Sequence, residues 1–253
     1  MDYYHKAEDT MLIQGTAITV NYEKIEGIKK VYYTNAEILK DYFNEATVLP
    51  IPDEAPLDIP RIIIKTLNEH AQLNISPIAT TFVVHYDAGF ETQWECCAQY
   101  LKDRMAKVFE FLNLLTDNKY EYVGLVSDIL YDDVQLDGAK TIVNNLLKTQ
   151  NINDIHDINI KYTFVENDSI YVNIMLQNAR LFDHDFNPNK AGAFMLSKQT
   201  AESIGITVDI NDRFGFNSKV NYKSNSTMLD RLLDSMSNVI DNKLSALIEK
   251  GEY

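Results

Sequence analysis

Apolar and polar residues alternate along residues 157–182 in a pattern that predicts a β-hairpin. The first apolar row is Ile158, Ile160, Tyr162 and Phe164, and after the polar residues 166–169 the second row is Ile170, Val172, Ile174 and Leu176. A period of two is typical of an antiparallel strand that buries one face and exposes the other. We therefore expect the opposite face, which carries Tyr171, Asn173 and Gln177, to contact water.

Shorter apolar runs predict further strands. They lie at residues 11–20, 28–34, 61–65, 78–86, 120–130 and 204–210. Gly27 marks a bend between the first two runs, and four of the six prolines stand at Pro50, Pro52, Pro56 and Pro60. We expect this apolar proline segment to be extended and packed against a surface, or to reach over a partner subunit.

Apolar residues at intervals of three and four predict helices. One long helix ends at Leu115 and carries Trp94, Cys97, Leu101, Met105, Val108 and Leu112, and its start has capping-box spacing at Thr92 and Glu95. A second long helix is expected over residues 227–248, with Met228, Leu232, Met236, Val239, Ile240, Leu244 and Leu247 on one face. Shorter helices are expected at 35–44, at 138–148 with Asp137 as cap, and from a Ser197 cap to Gly205.

These elements predict an α+β fold of mainly antiparallel sheet, covered by two long amphipathic helices. Strands followed by a long helix occur twice, so we expect an N-terminal sheet-plus-helix half at 1–118 and a C-terminal half at 119–253. The halves are either two related layers or one intimate domain. At 253 residues and 45% hydrophobic composition, the chain is long enough to bury a sizeable core.

Charge and cysteine content narrow the function classes. The net charge of −14 opposes direct binding to nucleic acid, because phosphate neutralisation needs clustered cations. The two cysteines, Cys96 and Cys97, are neighbours on a predicted helix and cannot form an ordinary bridge. No apolar run approaches the roughly 20 residues of a membrane helix, and the first ten residues lack a signal-peptide core. We expect a soluble, cytoplasmic, bacterial protein that does not bind membranes.

One polar stretch has the spacing of cation ligands. Asp183, Asp185 and Asn187 place oxygen atoms at alternate positions, with His184 between them, as the first ligands of a calcium loop do. Asp209, Asn211 and Asp212 would join this site if the following strand ended nearby. However, Pro188 replaces the bend glycine and Phe194 stands where the bidentate Glu should be, so a polar turn is the alternative. The sequence indicates no other cofactor.

Other chemical groups have ordinary structural explanations. Asp128, Asp132, Asp133 and Asp137 are the densest carboxylates, but Asp137 is a helix cap and the others border a loop. Asp53 with Asp117 and Lys119 resembles a nuclease pairing only superficially. The phosphate-loop, dinucleotide, nucleophile-elbow and paired-histidine zinc motifs are absent from the sequence.

The leading hypothesis is a non-enzymatic protein that works through protein contacts and associates with itself. The candidate contact elements are the last helix, 227–248, and the proline segment, 50–60. The first alternative is a metal-dependent hydrolase or nuclease that uses Asp183 and Asp185 with a divalent cation. The second is an acidic decoy of a nucleic-acid-binding protein, which rests on the charge of −14.

Overall fold

A computed structural model describes residues 10–52, 54–132, 137–147, 155–182 and 199–253. The described strands form one antiparallel sheet of nine strands in the order β2-β3-β4-β5-β1-β6-β9-β8-β7. The strands are β1 (Thr10–Asn21), β2 (Thr47–Val48), β3 (Ile62–Lys65), β4 (Ala71–Ile75), β5 (Ala79–His85), β6 (Tyr122–Asp132), β7 (Asn159–Glu166), β8 (Ile170–Phe182) and β9 (Gln199–Asn211). The predicted α+β class with an antiparallel sheet is confirmed.

Six α-helices lie in the described residues. They are α1 (Ile28–Asn35), α2 (Trp94–Thr116), α3 (Gly138–Ile142), α4 (Arg213–Ser218), α5 (Met228–Asn242) and α6 (Leu244–Lys250). A 3₁₀ turn, Ala36–Leu39, follows α1, and a π-helical turn, Val143–Leu147, follows α3. No described helix has the length and apolar character needed to cross a membrane.

Apart from β2 and the short helices α4 and α6, the two halves of the chain have the same order of elements, and they meet at the centre of the sheet. β1 is followed by α1, the meander β3-β4-β5 and α2, and β6 is followed by α3, the meander β7-β8-β9 and α5. The last strand of each meander pairs with the first strand of its own half, and β1 pairs with β6. One continuous sheet therefore crosses the predicted boundary between residues 118 and 119.

One side of this sheet, the inner face, carries the apolar core. Ile18, Leu125, Val208 and Ile174 come from four adjacent strands, and each is fully buried. The apolar stripes of α2 and α5 belong to the same core. The two helices run antiparallel, because Trp94 Nε1 donates to Ser237 Oγ at 2.7 Å and Lys102 pairs with Asp230 at 3.0 Å.

The predicted hairpin at 157–182 is confirmed as β7 and β8. Ile170, Val172, Ile174 and Leu176 are buried, as expected, whereas the β7 row is only half-buried because β7 lies at the sheet edge. Asn167 and Asp168 both have φ of 50° in the connecting turn. Asn and Asp tolerate this left-handed conformation better than most residues.

The prediction of two long covering helices is wrong. α2 is long, at 23 residues, but the last predicted helix divides at Lys243 into α5 with 15 residues and α6 with 7. Glu166 at the end of β7 accepts from Ser235 Oγ at 2.9 Å and lies 3.8 Å from Lys243 Nζ. Ser235 lies within α5 and Lys243 at the break itself, where the sequence has neither Gly nor Pro.

Three other local predictions are also wrong. Residues 28–34 form α1 and not a strand, because Ile28 and Tyr32, four positions apart, are the buried pair. Residues 35–44 contain the last residue of α1 and the 3₁₀ turn instead of one helix, and residues 199–205 belong to β9, not to a helix. Ser197 lies outside the described residues. The short strand β4 was not predicted.

Three predicted details of capping and packing have different outcomes. Asp137 caps α3 by accepting from the Lys140 backbone N–H at 3.1 Å, as expected. The N-cap of α2 is Gln93 and makes no side-chain capping bond, so the predicted capping box is absent. The proline segment is packed against its own chain, as expected, since Arg61 is 1% exposed and donates to three segment carbonyls: those of Ile59, Ala55 and Pro56.

Candidate interaction surface

The second side of the sheet, here called the open face, is formed by the outward side chains of the central strands β5, β1, β6, β9 and β8. The inner-face residues Ile18, Leu125, Val208 and Ile174 are buried, whereas their outward neighbours Ala17, Val126, Thr207 and Asn173 are all partly exposed. Complete coverage by a second layer would bury these side chains, as α2 and α5 bury the opposite rows. Within the described residues, therefore, most of the open face is accessible to a partner.

Hydrogen bonds between adjacent strands hold the polar side chains of the open face flat. Thr19 and Thr81 hydroxyls lie 3.1 Å apart, and Thr207 donates to Asp128 at 2.7 Å. Asn173 donates to the Asp209 carboxylate at 3.3 Å. Because neighbouring side chains orient one another, the face presents ordered donors and acceptors rather than freely rotating groups.

The open face carries little charge. Asp128 and Asp209 are the carboxylates among its described side chains, and the His85 imidazole lies at one end. The remaining described outward positions of the five strands are uncharged, although 24% of the whole chain is charged. Small residues, including Ala17, Gly124 and Gly205, are distributed along it. Another backbone can approach closely over such residues.

Helix α4 forms an aromatic border at one end of the open face. Phe214 packs edge-to-face on Tyr171 at 5.2 Å between ring centroids, and Phe216 lies 5.7 Å from Tyr122. The Arg213 guanidinium lies 5.4 Å from the Tyr122 ring. The border therefore combines rings with one cation, a composition that is frequent in protein interfaces.

Asp212 fixes this border to the sheet. Its side chain is fully buried and accepts from the Val123 backbone N–H at 2.6 Å and from the Tyr222 hydroxyl at 2.7 Å. Burial and then the bond to Asp212 raise the pKa of Tyr222. A Cβ on Gly215 would lie 2.7 Å from the Tyr222 ring, so only glycine fits there.

The predicted cation site lies mostly outside the described residues. Asp183, His184, Asp185 and Asn187 are among the residues whose structure is not described. Of the residues expected to join them, Asp212 is occupied by its two structural bonds, and Asp209 accepts from Asn173 and Asn211 amides. In the described ranges, no group of three or more His, Cys, Asp or Glu side chains could hold a metal ion. The hydrolase hypothesis stays a prediction.

The other candidate groups can be followed only where the structure describes them. Cys96 is exposed, whereas burial raises the pKa of the Cys97 thiol to about 12, which opposes a thiolate nucleophile. Asp117 forms an exposed ion pair with Lys119 at 2.7 Å. Asp53, Asp133 and the Asp132 side chain are not described. The decoy hypothesis also stays a prediction, and the open face does not favour it because it carries few carboxylates.

Three cavities whose linings lie within the described residues differ from ordinary small-molecule sites. A cavity of about 40 Å³ lies beside Tyr86, Phe90 and Tyr100. It is far smaller than the roughly 300–1,000 Å³ typical of ligand pockets. Two grooves of about 610 and 670 Å³ flank α2, and charged residues such as Lys102, Asp230 and Lys119 line them. Polar and charged residues outnumber apolar residues in the lining of both grooves, whereas ligand pockets are lined mainly by apolar and aromatic side chains.

The hairpin pattern was the one sequence signal for the open face, because it predicted that Tyr171, Asn173 and Gln177 contact water. The extension of that face across β5, β1, β6 and β9 became visible only with the strand order. Comparison of the chain with protein-family models and with curated proteins finds no match.

Proposed function

We propose that this protein is a non-enzymatic interaction protein and that the open face is its contact surface. The observation that carries the proposal is the difference in covering between the two faces of one sheet. The inner face is buried by helices, and the open face keeps partly exposed, ordered and nearly uncharged side chains.

The composition of the open face supports protein contact. Non-obligate interfaces are only about as apolar as other protein surface, and depletion of charge at their core is the distinguishing feature. The open face has this depletion, in a chain whose net charge is −14. Its partner would be a flat protein surface of low charge, with neutral donors and acceptors opposite Thr19 and Asn173. Self-association remains part of the proposal.

The contact elements expected from sequence have internal partners in the described structure. The apolar face of α5, including Leu232, Met236 and Val239, is fully buried in the core. The proline segment is held by Arg61, and Lys29 Nζ donates to the Ile51 carbonyl at 2.8 Å. The open face is therefore a better candidate than either element.

A site-specific photo-crosslinker tests the contact surface in the source cells. We place it at Thr19 on the open face and, as a matched control, at exposed Asn238 on α5. The proposal predicts one defined protein joined through position 19 and not through position 238. That protein is then purified, and its dissociation constant is measured with the unmodified chain by calorimetry.

A charge placed on the open face completes the test. Val126→Lys should weaken binding of the purified partner at least about tenfold, because it buries an ammonium in the contact. Asn238→Lys changes the charge equally and should leave binding unchanged. Equal crosslinking at both positions, or unchanged affinity of Val126→Lys, would reject the open face as the contact surface.

A further inference from the structure

The two edges of the sheet differ in how they are protected. At one edge, β2 is only 2 residues long and leads into the proline segment, and both features discourage pairing. At the other edge, β7 has 8 residues with regular alternation and contains no proline or bulge. Among the described strands β7 pairs with β8 alone, and no described strand pairs with its second backbone edge.

The side chains of β7 also leave room for a neighbour. Tyr162 and Phe164 on the inward side are half-buried, while inward residues of β8 are fully buried. The Tyr253 ring stacks on Phe164 at 3.9 Å and covers part of this row. On the outward side, Lys161 and Thr163 are exposed, and Val165 is 45% exposed. A strand placed beside β7 would extend the core row and satisfy the backbone edge.

Charge favours a second copy of this chain at the β7 edge. With a net charge of −14, two copies repel one another over most orientations. β7 carries Lys161 and a single carboxylate, Glu166, which is already engaged by Ser235 and Lys243. The edge is therefore a region where two copies can meet without opposing carboxylates.

The residue order of β7 is self-complementary. In a symmetric antiparallel pair centred on Thr163, Tyr162 of each copy lies opposite Phe164 of the other, and Lys161 lies opposite Val165. Cross-strand aromatic pairs stabilise a sheet, and Lys161 meets no like charge. This contact uses the same surface on both copies. Assembly therefore stops at the dimer, because the β7 strand of each copy is then paired on both sides.

We infer that two copies pair through β7 into one continuous sheet. The inference rests on the self-association part of the proposed function. A two-fold axis perpendicular to the sheet would place both open faces on the same side. The dimer would then present two adjacent contact surfaces to its partner. Because an edge contact is narrow, we expect a dissociation constant on the order of micromolar.

A charge-swap experiment on the outward side of β7 tests the pairing. The cationic variant is Thr163→Lys with Val165→Lys, and the anionic variant is Lys161→Glu, Thr163→Glu and Val165→Glu. All three positions are exposed, so both chains should fold, which circular dichroism and thermal unfolding check. By sedimentation velocity, the unmodified chain should dimerise and each variant alone should be monomeric. An equimolar mixture of the variants should recover the dimer, whatever the register.

The control carries Asn238→Lys and Asn242→Lys on the exposed side of α5, which matches the charge change of the cationic variant. It should dimerise like the unmodified chain. An unmodified chain that is monomeric at 100 μM, or a cationic variant that still dimerises, would overturn the inference. A monomeric chain that still binds its partner through the open face would leave the proposed function standing. If the unmodified chain were monomeric and the cationic variant failed to bind that partner, the β7 edge would bind a strand of the partner instead of a second copy.

Discussion

The two faces of the sheet are made by the same strands but have opposite chemistry. Ile174 on β8 is fully buried, and the next residue, Met175, points to the open face and is partly exposed. Along β6, Leu125 and Val126 show the same contrast. Alternate positions of one strand therefore serve different purposes: one row stabilises the fold, and the other is available for contacts.

Substitutions in the two rows should differ most in how far they lower the free energy of unfolding. Ile174→Ala should lower the free energy of unfolding by about 2–5 kcal/mol, because it removes buried methyl groups and leaves a cavity. Met175→Ala, its neighbour on the open face, should cost less than about 1 kcal/mol. Urea unfolding followed by circular dichroism measures both. Equal losses would show that the open face is buried by a layer beyond the described residues.

A smaller effect is expected where α4 joins the open face. Asp212→Ala should lower the free energy of unfolding by about 2–3 kcal/mol, because it leaves the buried Val123 N–H and Tyr222 hydroxyl without their acceptor. Chemical denaturation measures the loss. Asn211→Ala, at the preceding and partly exposed position, is the control and should cost less. Similar costs would mean that Asp212 does not fix the border.

Tyr222→Phe tests the same contact through the pH dependence of the free energy of unfolding. The folded-state pKa of Tyr222 is raised above the usual value of about 10. The stabilisation that the protonated Tyr222 hydroxyl contributes is therefore fully present below about pH 10. It is lost as the pH rises, because the unfolded chain releases the phenolic proton first. Tyr222→Phe should lose less stability than the unmodified chain between pH 10 and 11. An identical decline in both chains would contradict this role.

Local periodicity predicted the fold where side chains alternate without interruption. The hairpin has two such rows, and its strands, turn and buried face were all predicted. α1 was mistaken for a strand, because its short run Val31-Tyr32-Tyr33 has β-forming residues and the buried pair Ile28 and Tyr32 became visible only in the structure. At the helix break, Lys243 lies 3.8 Å from Glu166, which is distant in sequence, and local periodicity does not reveal such a contact.

The open face could be predicted only in part for a related reason. Outward polar residues on β8 indicated contact with water, but strand order decides which strands lie beside it, and long-range pairing decides strand order. What covers each face also depends on where the helices return. α2 and α5 lie on the same side and contact each other through Trp94 and Ser237, which are far apart in sequence, and neither helix pattern alone reveals this contact.

The variant used in the binding test, Val126→Lys, should change the free energy of unfolding least. It can therefore distinguish a loss of binding from a loss of stability. Val126→Lys should change the free energy of unfolding by no more than about 0.5 kcal/mol, because the side chain is partly exposed and the new ammonium faces Asp209 on β9. Leu125→Lys, one position earlier, would bury the same charge in the core and should prevent folding. Thermal unfolding of the two variants measures the difference. If Val126→Lys also failed to fold, its loss of partner binding would report stability, and Thr19→Lys would have to replace it in the binding test.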